Sequence, residues 1–110
     1  MVICEAGDVA IVPFPFTDMA VAKPRPALAL SSQKANGESG NTIFAMITTA
    51  ARSHWPTDVP LADAAGLSAA SLVRLKLFTL DNRLVARKIG ALSPRDRAAV
   101  RKMLRAVVGI

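Results

Sequence analysis

The feature that most constrains this chain is the stretch from residue 7 to residue 32. Two apolar runs of strand length, residues 9–14 and 27–30, consist mainly of aliphatic and β-branched side chains. The loop predicted between them carries Arg25 with a proline on each side, and proline stiffens the backbone because it fixes φ. A stiffened guanidinium beside a strand suits the binding of a phosphate or an oxyanion. The alternative is that an arginine–proline pair simply opens a strand.

The composition excludes several classes of protein. With 110 residues, of which 52% are hydrophobic, the chain can form a core and is not generally disordered. No apolar run approaches the ~18 residues of a transmembrane helix, and the start, MVICEAGD, lacks the basic region of a signal peptide. The single cysteine, Cys4, fits a reducing compartment, and with His54 it gives no zinc-binding pattern. We therefore expect one cytoplasmic domain over residues 1–110, with no membrane partner, metal or other cofactor.

The net charge of +6 is concentrated towards the C-terminus. Residues 74–110 carry ten of the fourteen basic residues but only two of the eight acidic ones. This asymmetry suggests an anionic partner, either a nucleic acid or an acidic protein segment. The alternative is a solvated face that keeps the chain in solution.

The pattern of apolar and polar residues predicts a mainly β chain that ends in a helix. Further strands are expected over residues 42–49, 58–61, 71–80 and 84–89. Between them we expect an exposed hairpin loop over residues 33–41, a loop or one helical turn over 62–70, and a turn at 81–82.

The terminal helix has several agreeing signals. Ser93 is a good N-cap, Pro94 suits the first helical position, and Asp96 stands where a capping box has its acid. One apolar stripe follows the helical period and consists of Val100, Met103, Leu104 and Val107. One amphipathic helix after five or six strands implies a small, strongly bent sheet or open barrel that packs against the helix.

Candidate chemistry depends on few residue types. Metal-free cleavage of a phosphodiester needs a cation that neutralises charge on the phosphate, together with proton donors and acceptors. Arg25 can supply the cation, and Thr48 and Thr49 at the end of the third strand can supply hydroxyls. Threonine is common in strands, so the pair alone is weak evidence.

Six segments follow one another along the chain: GDVAIVPFPFTD, KPRPALAL, AMITTA, WPTDVPL, SLVRLKLFTLD and ARKIG. In this order they resemble the MazF/PemK family of toxin–antitoxin ribonucleases. The resemblance implies a small SH3-like barrel with a C-terminal helix, the fold of MazF and CcdB, used as a two-fold homodimer. It also implies a cognate antitoxin and metal-independent cleavage of single-stranded RNA at short sequences. In that reaction the 2′-hydroxyl attacks and leaves a 2′,3′-cyclic phosphate.

The resemblance also assigns roles to particular residues. By position, the catalytic arginine of the family is Arg25 and its catalytic threonine is Thr48. The residues expected to line the RNA path are Thr17, Lys23, Thr49, Arg52 and Trp55. For Trp55 the alternative is a core position at the end of the barrel, because tryptophan is highly buried on average.

One departure from the family pattern lies in the first loop. Many relatives carry a glutamate there that has been considered for proton transfer, whereas residues 18–22 here have alanine at that point. Either the acid is dispensable, Asp18 substitutes for it, or the activity is weak. The alternative function is a non-catalytic toxin similar to the gyrase poison CcdB. Residues 108–110 lack the tryptophan expected of such a poison, and Arg25 and Thr48 favour the nuclease.

Overall fold

The computed structural model describes residues 1–15, 23–49 and 54–110, in which six strands form one curled antiparallel sheet. The strands are β1 (Asp8–Pro13), β2 (Pro24–Ala29), β3 (Asn41–Thr49), β4 (Val59–Pro60), β5 (Ser71–Asp81) and β6 (Arg87–Ala91). Their order across the sheet is β4-β5-β3-β2-β1-β6. Helix α1 (Gln33–Ser39) joins β2 to β3, and helix α2 (Pro94–Val107) follows β6. The predicted fold class, mainly β with a C-terminal helix, is confirmed.

Strand β2 begins earlier than the sequence predicted. Arg25 lies within the strand, opposite Val12 of β1, and not in the loop that precedes it. Prolines are tolerated here because β3 pairs with β2 only from Ala27 onward, so this part of β2 has an unpaired edge.

Helix α1 contradicts the hairpin loop expected over residues 33–41. The Ser32 side chain caps its start by accepting a hydrogen bond from the backbone N–H of Ala35. Gly40 ends the helix in the left-handed conformation, with φ of 75°, and its N–H donates to the Asn36 carbonyl. Ordinary capping residues therefore bound a helix whose polar composition had suggested an exposed loop.

A buried polar network explains why this polar helix packs against the sheet. Asn36 is 0% exposed, and its Nδ2 donates to the carbonyl oxygens of Cys4 at 2.8 Å and Ser31 at 3.1 Å. Asn82 is also buried; its Nδ2 donates to the Asn36 carbonyl at 2.8 Å, and its Oδ1 accepts from the Thr42 hydroxyl at 2.7 Å. These bonds connect the N-terminal segment, α1, β3 and the turn after β5.

The last strand and the loop before β5 also differ from expectation in their bounds. Residues Asn82–Leu84 form a 3₁₀ turn, so β6 begins at Arg87 and not at residue 84. Residues 62–70 form a loop of turns and bends and not the single helical turn that was the alternative. It approaches β6 closely through Gly66 and Gly90, where an added Cβ would lie 2.1 Å from a carbonyl oxygen.

The core lies on both faces of the sheet. The face that packs against α2 is called the α2 face, and its apolar cluster comprises Val9, Leu28, Ala45, Ile47, Val59, Val73, Leu92, Val100 and Met103. The cluster on the opposite face comprises Cys4, Ala10, Val12, Phe14, Ala27, Ala29, Phe44, Phe78 and Val85. The alternation of side chains along each strand produces this division.

Helix α2 begins as predicted, but two details differ. Ser93 caps it by accepting from the Asp96 N–H, and Pro94 is its first residue. The Asp96 carboxylate does not close a capping box; it accepts from the backbone N–H groups of Ala62 and Asp63, each at 3.0 Å. Val107, the last residue of the predicted apolar stripe, is exposed. Asp96 therefore fastens the loop after β4 to the start of the helix.

Candidate functional site

Arg25 and Thr48 lie on neighbouring strands and on the same face of the sheet. The last pair between β2 and β3 is Ala27 with Met46, and extending that antiparallel register by two residues sets Arg25 opposite Thr48. Because side chains alternate, Arg25 shares its face with Ala27, and Thr48 shares its face with Met46. Both lie opposite the α2 face, at the end of the sheet where β1 and β3 finish and β2 begins.

The two side chains differ in exposure and in their partners. Arg25 is exposed, and among the described residues its guanidinium makes no hydrogen bond or ion pair. Thr48 is half-buried beside it. An arginine with all of its donors available can bind a phosphate through two parallel hydrogen bonds. The arrangement can therefore hold a phosphodiester against a hydroxyl.

Of the other residues expected to line the RNA path, the fold brings some close to Arg25 and Thr48 and others not. Lys23 is exposed and directly precedes β2, close in sequence to Arg25. The side chain of Thr49 lies on the α2 face by strand alternation, so the fold does not bring it to Arg25 and Thr48. Thr17 and Arg52, together with the alanine-containing residues 18–22, lie outside the described residues.

Trp55 lies at the surface. Its exposed fraction is 40%, which contradicts the alternative that it fills the end of the core. Asp58 follows three residues later and is half-buried, and its Oδ2 accepts a hydrogen bond from the Trp55 backbone N–H at 2.9 Å. His54, beside it, is exposed.

Arg74 is the residue of this region that sequence reasoning missed. Residues 71–80 alternate apolar with polar or basic side chains, a pattern that predicts a half-exposed strand, but Arg74 is buried. Its Nε donates to Asp58 Oδ1 at 3.1 Å and its Nη2 to Asp58 Oδ2 at 2.9 Å. The guanidinium carbon also lies 5.0 Å from the centroid of the Trp55 ring. The position of Arg74 between the apolar residues Val73 and Leu75 was the available signal, since a basic residue needs a partner when it is buried.

The register connects this group to the site. Arg74 lies opposite Met46, so it shares the sheet face of Thr48 and is diagonal to that residue. The hydrogen bonds from Arg74 lower the pKa of Asp58 below its ordinary value, and the same bonds raise the pKa of Arg74. Both groups are therefore charged at neutral pH.

Two further observations concern the part of the chain that the structure describes. Within it, no three His, Cys, Asp or Glu side chains are grouped as a metal ion would need. No helix in the same residues has the length and apolarity required to cross a membrane.

Residues 5–108 match the family described as PemK-like, MazF-like toxin of type II toxin-antitoxin system. The chain belongs to this family. It is thus a MazF-like toxin, and the resemblance carried by the six sequence segments is confirmed. No curated protein sequence matches the chain.

Solved structures agree on the fold of the toxin. It is similar to MazF from Deinococcus radiodurans, with a TM-score of 0.79 and 23% identity over 100% of each chain. A MazE–MazF structure from the same organism has a TM-score of 0.79 and 25% sequence identity, and the match covers 99% of each chain. An endoribonuclease in complex with its cognate antitoxin, from a mycobacterial species, has a TM-score of 0.79 and 18% sequence identity. That match covers 97% of this toxin and 96% of the other chain.

Proposed function

We propose that this toxin is an endoribonuclease that cleaves single-stranded RNA at short sequences without a metal ion. The observation that carries the proposal is that Arg25, whose guanidinium is uncommitted within the described residues, shares a sheet face with Thr48 of the neighbouring strand. The family and the structural similarity to an endoribonuclease support the same reaction class.

In the proposed reaction the ribose 2′-hydroxyl attacks the adjacent phosphorus and the 5′-oxygen of the next nucleotide leaves. The 2′-oxygen loses its proton, the 5′-oxygen gains one, and the products are a 2′,3′-cyclic phosphate and a 5′-hydroxyl. Arg25 binds the non-bridging oxygens and stabilises the negative charge that grows on them. The Thr48 hydroxyl orients the phosphate or assists the transfer of a proton.

The RNA path is proposed to run from this pair to Trp55, with Lys23 as an exposed cation near its start. Thr17 and Arg52 remain candidates along the path, whereas Thr49 is not included because its side chain lies on the α2 face. The proposed setting is the cytoplasm, where a cognate antitoxin holds the toxin in check; MazE–MazF structures are among those that resemble it.

The toxin is also proposed to act as a homodimer. Ile43 and Leu77 lie on the neighbouring strands β3 and β5, and their exposed fractions are 42% and 41%. Both side chains fall on the α2 face, beyond the part that α2 covers, and together they expose apolar surface. A two-fold contact through this surface would bury it on both copies.

The deciding experiment compares Arg25→Ala with wild type on a long RNA whose cleaved ends are mapped. We expect cleavage to fall about 10²–10³-fold, as on losing one preorganised donor, with little change in melting temperature because Arg25 is exposed. Arg25→Lys should restore little, since an ammonium cannot form the paired hydrogen bonds. The matched control is Arg83→Ala, an exposed arginine paired with Asp81 at the other end of β5.

Wild-type cleavage by Arg25→Ala would contradict the assignment of this arginine. Activity that EDTA abolishes and magnesium restores would contradict the metal-independent mechanism. Growth arrest by Arg25→Ala without RNA cleavage would instead support the alternative, a CcdB-like toxin that binds a protein target.

A further inference from the structure

We propose that Asp58 is a positioning residue that holds Trp55 as a stacking surface for an unpaired base of the bound strand. The inference rests on the proposed function, because it names the contact through which the same site recognises RNA. It is carried by the hydrogen bonds that join Asp58 to both Trp55 and Arg74.

The first step concerns the turn from Trp55 to Asp58. The Trp55 N–H donates to Asp58 Oδ2 at 2.9 Å, and the Asp58 N–H donates to the Trp55 carbonyl oxygen at 3.0 Å. Pro56 occupies the second position of this four-residue turn, where its fixed φ suits the turn geometry. Two reciprocal hydrogen bonds and one proline therefore fix the backbone that carries the indole.

The second step is the attachment of this turn to the sheet. The side chains of Asp58 and Arg74 are 6% and 10% exposed, and the guanidinium donates through two nitrogens to the two carboxylate oxygens. A paired, two-bond contact of this kind fixes orientation as well as distance. Because Arg74 belongs to β5, Asp58 connects the Trp55 turn to a strand that runs beside β3.

The third step concerns the faces of the indole. The Arg74 guanidinium lies 5.0 Å from the ring centroid and so occupies one face, while Trp55 keeps an exposed fraction of 40%. A ring held in this way can accept a base on its remaining surface without first losing rotamer freedom. Arg74 is diagonal to Thr48 on the same sheet face, so the base would belong to a nucleotide near the phosphate at Arg25.

A purely structural role of the Asp58–Arg74 ion pair makes a different prediction about RNA binding. If Asp58 only neutralised Arg74 and fastened the turn, its replacement by a neutral isostere would remove a negative charge from a nucleic-acid site. Loss of that charge would strengthen attraction to the phosphate backbone. The stacking role predicts the opposite sign, because a displaced Trp55 no longer contacts the base.

The experiment measures binding of a single-stranded 2′-deoxy oligonucleotide, which lacks the attacking hydroxyl, through the fluorescence of the toxin. Trp55 is the only tryptophan in the chain, so the signal reports this side chain alone. The variants are Asp58→Asn and a matched control, Asp63→Asn. Asp63 lies in the next loop, and its ion pair with Arg95 is exposed, so the control makes the same charge change away from the indole.

We expect the oligonucleotide to quench Trp55 in the wild type and Asp58→Asn to weaken binding about tenfold. The control should bind as tightly as the wild type or slightly more tightly. In RNA cleavage, Asp58→Asn should raise KM with little change in kcat, since Asp58 does not contact the reacting atoms. A folded Asp58→Asn that binds as tightly as Asp63→Asn would overturn the inference.

Two further variants decide the question if Asp58→Asn does not fold. Arg74→Lys keeps the charge but loses the planar group over the ring, and we expect binding to weaken several-fold. Because Trp55→Ala and Trp55→Phe contain no tryptophan, their binding is followed through the fluorescence anisotropy of a dye-labelled copy of the same oligonucleotide. Trp55→Ala should weaken binding about tenfold at an unchanged melting temperature, and Trp55→Phe should recover most of it. Unchanged binding in Trp55→Ala would refute the stacking role.

The two proposals can fail separately. If the oligonucleotide quenches Trp55 and no RNA is cleaved, the nuclease proposal fails while the stacking surface stands. If RNA is cleaved, with no quenching and an unchanged KM in Trp55→Ala, the stacking surface fails while the nuclease stands.

Discussion

The substitution Asn36→Ala tests the buried network that holds α1 against the sheet. In the folded toxin the side chain donates to the carbonyl oxygens of Cys4 and Ser31 and accepts from the Ser31 hydroxyl. Truncation leaves two carbonyl groups without these donors at a residue that is 0% exposed. Each unsatisfied buried group costs about 1–3 kcal/mol, and the bond to the Ser31 carbonyl is only part-buried, so we expect a loss of about 2–4 kcal/mol in the free energy of unfolding.

The measurement is the melting temperature by circular dichroism at neutral pH. For a chain of 110 residues, 1 kcal/mol corresponds to about 4 °C, so the expected decrease is roughly 8–16 °C. The matched control is Asn41→Ala, which removes an exposed side chain with one hydrogen bond, from its Nδ2 to the Ser39 carbonyl at 3.0 Å. That control should change the melting temperature by about 2 °C or less.

A melting temperature for Asn36→Ala within about 3 °C of the wild type would refute this reasoning. It would mean that water or a rearranged α1 satisfies the two carbonyl groups at little cost. An equal decrease in both asparagine variants would show that the loss does not arise from the burial of the Asn36 amide.

Three other predictions follow from described contacts. Leu77→Lys should convert the proposed homodimer into a monomer, as measured by light scattering, and a retained dimer would move the proposed interface away from this surface. Burial raises the pKa of the Cys4 thiol, so alkylation by iodoacetamide should require unfolding; rapid reaction of the native toxin would contradict this. Hydrogen bonds from Arg74 lower the pKa of Asp58 in the folded toxin. The pair therefore stabilises the fold fully above about pH 4, the pKa of an aspartate in the unfolded chain, and this stabilisation is lost as the pH falls through the lower pKa of the folded state. The melting-temperature difference between wild type and Asp58→Asn should therefore stay constant from pH 7 to about pH 5 and narrow below about pH 4; narrowing already at pH 6 would contradict it.

Much of the fold was predictable because local signals decide it. The strand expected over residues 71–80 is Ser71–Asp81, and the one expected over 42–49 is Asn41–Thr49. Helix α2 starts at Pro94, where its capping signals indicated. Helix α1 was missed although Ser32 and Gly40 can cap it, because its residues are polar and the groups that bury Asn36, such as the Cys4 carbonyl, are distant in sequence.

The candidate site also contains residues that the sequence identified and residues that it did not. Arg25 was proposed from its flanking prolines and Thr48, with Thr49, from the end of a strand, and the resemblance then gave Arg25 and Thr48 their catalytic roles. Their position on neighbouring strands follows from the register of β2 and β3. The pair Asp58–Arg74 was not predictable from spacing, because its members lie 16 residues apart and meet only after β4 pairs with β5. A charged residue inside an apolar strand shows that a partner is needed but does not identify it.

The strand order determines when, during synthesis of the chain, the sheet can be completed. Strand β1 lies between β2 and β6, and Asp8 pairs with Ala91 at the far end of the sequence. The ribosome adds about 5–20 residues per second, so roughly 4–16 s separate the synthesis of the two partners. During that interval one edge of β1 has no neighbour, and the ion pair of Lys88 with Asp8 cannot form. A chain cut short before residue 87 would keep that edge permanently and would be expected to aggregate and not to poison the cell.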